Sequence, residues 1–118
     1  MYKIGIYEKE ITPHIGCSIR GYFNLRTVSN VKDKTYAKAV AISRDEKTII
    51  FIAIDGACYN NETYDNIRCR VSKLTGLKVD DIMVAPTHSH TGGQVLLVNL
   101  KGQTISLILP ILLGLKTQ

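Results

Sequence analysis

An unbroken apolar run rich in β-branched residues occupies residues 48–54 (Thr-Ile-Ile-Phe-Ile-Ala-Ile), and it constrains the fold more than any other stretch. The run lacks the polar alternation of a half-solvated strand, so it predicts a central strand covered on both faces. Upstream, residues 34–43 place Tyr36, Val40 and Ile42 at even spacing, which predicts a second strand. Arg44-Asp45-Glu46-Lys47 reads as a four-residue polar turn that closes the two into a β-hairpin. Downstream, Asn60 or Asn61 can cap a helix, and Glu62 suits the positive end of its dipole. Tyr64, Ile67, Val71 and Leu74 then make one helical face, and Gly76 is a natural terminator. Residues 82–85 form a further short apolar strand. Strand, helix, strand in one sheet implies parallel pairing through a right-handed crossover. The fold class that follows is α/β, a mixed sheet in which a β-hairpin leads into a right-handed strand-helix-strand unit.

Parallel strands joined in this way end at the same edge, where open α/β sheets place their ligands. The first strand is followed by Asp55. The second runs into Pro86-Thr87-His88-Ser89-His90-Thr91-Gly92-Gly93, which holds two of the chain's three histidines. In extended backbone, residues i and i+2 project to one side. His88 and His90 then suit two nitrogens converging on one metal ion or one substrate oxygen. The same residues also suit a polar loop whose imidazoles satisfy backbone groups. Asp55 has two readings as well: it orients an imidazole by accepting its second N–H, or it is a turn aspartate before the helix.

Elsewhere the signals are weaker. Residues 2–11 alternate loosely through Ile4, Ile6 and Ile11 and read as a strand, stopped by Thr12-Pro13. Residues 14–30 form a long loop of the kind that is usually functional or mobile, with Gly21-Tyr22 marking a turn or a close backbone approach. At 118 residues, 45% hydrophobic and 21% charged, the chain suits at most one globular domain. Lys+Arg 15 against Asp+Glu 10 gives +5, but the basic residues are scattered without an interleaved aromatic stripe, so no nucleic-acid partner is expected. Cys17, Cys58 and Cys69 are odd in number and lack C-x-x-C spacing, which argues against a disulfide framework and for a reducing compartment. Cys58 and Cys69 are assigned to core packing. The N-terminus begins with strand-like sequence and shows no signal peptide, so cytoplasmic residence is expected.

Taken in order, several stretches resemble a known family. They are Glu10-Ile11-Thr12-Pro13-His14-Ile15-Gly16, Arg20-Gly21-Tyr22, Lys32-Asp33-Lys34-Thr35-Tyr36-Ala37-Lys38-Ala39-Val40, Ile54-Asp55 and Ala85-Pro86-Thr87-His88-Ser89-His90-Thr91-Gly92. Their order and spacing resemble the N-terminal part of the neutral/alkaline, non-lysosomal ceramidase family, over roughly residues 3–93. The resemblance implies a fragment of a larger α/β hydrolytic domain and a zinc-dependent amidase acting on ceramide-like N-acyl amides in sphingolipid metabolism. It implies His88 as a zinc ligand and His90 as a catalytic residue supporting the scissile carbonyl or the hydrolytic water. Zinc held by imidazole would act as a Lewis acid and lower the pKa of its water to about 7. His14 stands where the family has a second proline. The family's further ligands, a histidine, a glutamate and a tyrosine, lie well downstream, whereas this sequence has no histidine after His90 and no glutamate after Glu62.

These features divide the chain into a ceramidase-like segment, residues 1–94, and an apolar tail, residues 95–118, without family resemblance. The tail is too short and too broken by Pro110 to span a membrane. Its change of character predicts a shifted reading frame or an early stop, hence a truncated amidase of little or no activity alone. The alternatives are a non-catalytic metal- or partner-binding module and an inert gene product. Expected partners are a lipid or N-acyl amide substrate and other copies of the chain, through the apolar tail.

Overall fold

The computed structural model describes residues 1–93, so the apolar tail lies outside the described residues. Strands β1 (Tyr2–Glu10), β4 (Tyr36–Arg44), β5 (Lys47–Ile54) and β6 (Ile82–Pro86) build one four-stranded sheet in the order β1-β4-β5-β6. The first three pair antiparallel, and β5 pairs parallel with β6. A two-stranded ribbon, β2 (Ser18–Ile19) with β3 (Arg26–Thr27), lies between β1 and β4 in sequence. The mixed sheet, the hairpin and the strand-helix-strand unit are those read from the sequence. The hairpin turn is tighter than expected: Arg44 pairs with Lys47, and only Asp45 and Glu46 lie between, Asp45 taking a positive φ of 54°.

Helix α1 (Asn61–Thr75) connects β5 to β6. Its ends are set by local chemistry. The Asn60 side chain accepts from the Thr63 N–H, and Gly76 closes the helix at φ 75°, donating its N–H to the Ser72 carbonyl. Ile67 and Val71 are buried as the periodicity predicts, but the stripe is rotated toward Thr63, and Leu74 in the last turn is left exposed. Cys69 is exposed too, contrary to the core assignment, because it lies between Arg68 and Arg70, off the Ile67–Val71 stripe. Arg68 ties the helix to the next strand, donating from Nε to the Ile82 carbonyl at 3.1 Å and from a terminal nitrogen to the Val79 carbonyl at 3.2 Å.

The core lies between α1 and one face of the sheet. Ala37, Ala39 and Ala41 of β4 lie beside Ile50, Ile52 and Ile54 of β5, with Ile82 of β6, against Ile67 and Val71 of the helix. The opposite face carries Ile4, Ile6, Phe51 and Met83, all exposed among the described residues, so β5 is covered on one side and not on both. An apolar run cannot distinguish the two cases, since burial of the second face depends on whether another layer is present.

Candidate functional site

The site forms where β5 and β6 end together. Beyond the last strand pair, Ile54 with Pro86, the Thr87 N–H still donates to the Ile54 carbonyl at 2.9 Å. Side chains then take over. One oxygen of Asp55 accepts from the Tyr36 N–H at 2.8 Å, and the other accepts from the Thr87 hydroxyl at 3.1 Å. A single carboxylate therefore fastens the tips of three strands, β4, β5 and β6. Its hold on the histidines runs through Thr87, one residue before His88, and both its oxygens are engaged with groups other than imidazole.

His88 and His90 do stand together, with ring centroids 4.9 Å apart. The cause differs from the strand alternation expected. β6 stops at Pro86, and His88 has φ 65°, in the left-handed region that a residue with a Cβ seldom adopts. The rings are tilted by 43°, not parallel, because the chain between them turns. Such a conformation costs on the order of 1 kcal/mol or more and persists only when surrounding contacts impose it. Those contacts are visible on both sides. Thr87 is held by Asp55, and Gly92 is buried with its Cα face against the backbone of Asp55 and Gly56. A Cβ at Gly92 would lie 2.9 Å from the Asp55 carbonyl oxygen and 2.8 Å from the Gly56 Cα.

His90 is fixed from the long loop. Gly21, at φ 109°, brings its backbone against the imidazole, and a Cβ there would stand 2.7 Å from the ring's Cγ and Nδ1. This is the close approach that Gly21-Tyr22 marked in the sequence. Tyr22 meets His90 edge-on at 5.5 Å between centroids, and Arg26 stacks over Tyr22 at 4.3 Å. Arg26 also donates to the His90 carbonyl at 3.4 Å. The loop is anchored in turn, with Ile19 bridging to Gly93 and buried Val28 donating to the Cys17 carbonyl. Beside the histidines lies a cleft of about 470 Å³, lined by Thr12, Arg26, Asp55, Ser89 and Thr91 among others. Lys34, on its wall, pairs with Glu10 at 2.9 Å, and that hydrogen bond holds the Glu10 carboxyl below its ordinary value. His14 is exposed and takes no part in the imidazole pair.

Sequence reasoning missed three members of this cluster. Cys58, assigned to the core, is exposed, and its Sγ lies 3.4 Å from His88 Nδ1. Its position just after a strand that ends at the ligand edge was the available signal. Thr87 precedes His88 with nothing in the sequence to mark it, and its hydroxyl donates to Asp55. Tyr59 packs against the core with a buried hydroxyl that has no hydrogen-bond partner among the described residues, seated over Gly56. Burial pushes its phenol up to about 12, with Tyr64 and Asp55 adding to the effect.

For a zinc ion, the donor types fit and their number falls short. Imidazole and thiol are ordinary zinc ligands, but catalytic sites use three protein ligands and a water. Among the described residues, no group of three or more His, Cys, Asp or Glu side chains could hold a metal. No helix among them is long and apolar enough to cross a membrane.

No family model matches the chain, and no curated protein matches it. Solved structures do share the fold. The neutral ceramidase from Pseudomonas aeruginosa aligns with a TM-score of 0.69 at 19% identity, over 78% of this chain and 16% of its own length. A ceramidase complexed with C2 aligns with a TM-score of 0.67 at 18% identity, over 96% of this chain and 20% of its own. The chain thus spans a small part of the structures it resembles, and at these identities the likeness is one of fold.

Proposed function

We propose that residues 1–93 supply the His-x-His wall of a ceramidase-like, zinc-dependent amide hydrolase site. The observation that supports this most directly is the imidazole pair, 4.9 Å between centroids, held at the C-terminal edge of the parallel β5–β6 pair. The likeness in fold to neutral ceramidase over most of the chain supports reading that edge as part of an N-acyl amide hydrolase site. In this reading His88 is one metal ligand of a set whose other members are not among the described residues. Zinc, when bound, supplies Lewis acidity toward an acyl carbonyl and an acidified water.

The chain's own residues have distinct tasks. Asp55 and Gly92 hold the turn that gives His88 its left-handed backbone. His90 lies with Nδ1 against Gly21, which leaves Nε2, on the far side of the ring, to donate to a developing oxyanion or move a proton. Arg26 and Tyr22 keep that ring from rotating. The adjoining cleft, polar where Ser89 and Thr91 line it, suits the amide end of an N-acyl substrate. The same proposal places the chain in the cytoplasm, where unpaired Cys17, Cys58 and Cys69 suit a reducing compartment.

The test is metal content of the purified full chain with and without His88→Ala, followed by hydrolysis of a fluorescent N-acyl sphingosine. Zinc retained by the parent and lost in His88→Ala, with turnover reduced in His90→Ala, supports the proposal. Bound zinc without turnover leaves a metal-binding module. Equal zinc in parent and variant, with no turnover, removes the proposal altogether.

A further inference from the structure

We propose that the free edge of β1 is a self-association surface, where a second copy of this chain adds its own β1 antiparallel about a two-fold axis at Gly5.

The two edges of the sheet are finished differently. At the β6 edge, Thr87 donates inward to Ile54, so by alternation Ile82, Val84 and Pro86 turn their backbone groups away from β5. That edge is largely closed. The Ile82 N–H goes to the Val79 carbonyl, Arg68 Nε donates to the Ile82 carbonyl at 3.1 Å, and Pro86 has no N–H to offer. β1, at the other end of the strand order, has no such finish among the described residues. The Ile11 N–H donates to the Thr35 carbonyl at 2.8 Å, and the register from there is unbroken, so the odd-numbered residues of β1 bond to β4. Tyr2, Ile4, Ile6 and Glu8 therefore direct N–H and C=O outward, along a nine-residue strand with neither proline nor bulge. An edge of this kind is a template for another strand.

The sequence of β1 selects the partner. Two antiparallel strands keep their faces matched only when even-numbered residues stand opposite even ones and odd opposite odd. Centred on Gly5, β1 sets Ile4 opposite Ile6 of the second copy, and Ile6 opposite Ile4 of the second copy. These side chains are 60% and 76% exposed in the single chain, and each would gain an apolar neighbour. Tyr2 then meets Glu8, Lys3 meets Tyr7, and no like charges are opposed. Other centres fare worse. Centring on Ile6 opposes Lys3 and Lys9, centring on Tyr7 sets both isoleucines against glutamates, and centring on Ile4 shortens the overlap. The Gly5 register forms about eight backbone hydrogen bonds and joins two four-stranded sheets into one. Since β6 lies at the opposite end of the strand order, the two histidine pairs stay at the far ends of that sheet.

Sedimentation equilibrium of the full chain is the test, comparing the parent with the double variants Ile4→Lys/Ile6→Lys and Ile4→Lys/Ile6→Glu. Both positions are exposed, so the core under α1 is untouched. The expected parent is a dimer. Ile4→Lys/Ile6→Lys opposes like charges across the axis and should raise the dimer dissociation constant more than about tenfold. Ile4→Lys/Ile6→Glu sets a lysine at position 4 opposite a glutamate at position 6 on both sides of the axis, and should restore the dimer. The registers centred on Ile4 or Ile6 would gain a like-charge pair from that variant and show no rescue. A monomeric parent, or a dimer unchanged in Ile4→Lys/Ile6→Lys, overturns the inference. Loss of the dimer in both double variants overturns the pairing at Gly5.

Discussion

The two faces of one sheet make the most instructive contrast in this molecule. On the face under α1, Ala37, Ala39, Ala41, Ile50, Ile54 and Ile82 are each no more than 5% exposed. On the other, Ile4 is 60% exposed, Ile6 76%, Phe51 38% and Met83 57%. Along β5 and β6 the apolar residues of the two faces alternate, so neither propensity nor pattern separates them. What separates them is the helix: one face has a packed partner among the described residues and the other does not. The edge where the strands end is different again, since there polar contacts and not apolar burial hold the chain in place.

The contrast can be broken experimentally. The largest expected effect is for Ile50→Ala, which leaves a cavity between sheet and helix and should lower stability by about 2–5 kcal/mol in urea unfolding. Phe51→Ala, one residue along and on the other face, should cost a small fraction of that. Equal losses for the two would show that the faces are equally packed in the full chain.

Asp55→Ala comes next. It strands the Tyr36 N–H and releases Thr87, and should cost about 1–3 kcal/mol. Its particular signature is in the site: imidazole resonances of His88 and His90 should shift or broaden in NMR spectra, whereas Ile50→Ala should leave them in place at temperatures where it is folded. Should Asp55→Ala destabilise the chain without moving those resonances, the carboxylate fastens the strands only.

Asn60→Ala removes the cap of the helix that covers the packed face, and should cost about 1 kcal/mol, read from the same urea curves. If the loss is no greater than for an exposed helix substitution such as Cys69→Ser, the cap adds nothing to the cover.

The smallest effect is tied to pH. Tyr59 has its phenol raised to about 12 from an ordinary value of 10.0, chiefly by burial against the core. The folded state therefore holds this proton more tightly than the unfolded state does. The corresponding stability is fully present below pH 10 and is lost as pH rises through about 12. Tyr59→Phe should flatten that decline, and it should cost little at neutral pH because the buried hydroxyl lacks a partner among the described residues. An unchanged alkaline slope in Tyr59→Phe would place the titration elsewhere.

Much of the architecture was legible because it is encoded locally. The Asn60 cap, the Gly76 stop and the Ile67–Val71 stripe are each decided within one or two turns of chain. The hairpin and the parallel pair follow from apolar runs separated by a turn and by a helix. The candidate site was legible in part for the same reason: His88 and His90 are neighbours in sequence, and Asp55 ends a strand. Cys58 was misassigned because a cysteine's burial depends on which way the chain turns after Ile54, and that turn is set by Gly56 and Gly92 meeting across the strand ends. Leu74 lies on the same periodic face as Ile67 and Val71 but is left exposed at the last turn, because the buried stripe runs through Thr63, Ile67 and Val71 instead, a placement that the helix's own sequence does not contain.

The sequence by itself determined the order of the elements of the four-stranded sheet and its helix, the parallel pair and the edge at which the histidines would lie, since hydrophobic period and caps act over short range. Only the tertiary structure decided that one sheet face is covered by α1, that His88 reaches His90 through a left-handed turn, and that Gly21 and Cys58 stand against the two imidazoles. Those outcomes depend on contacts between residues tens of positions apart, where the space left by one segment, more than its own preference, sets the conformation of the next.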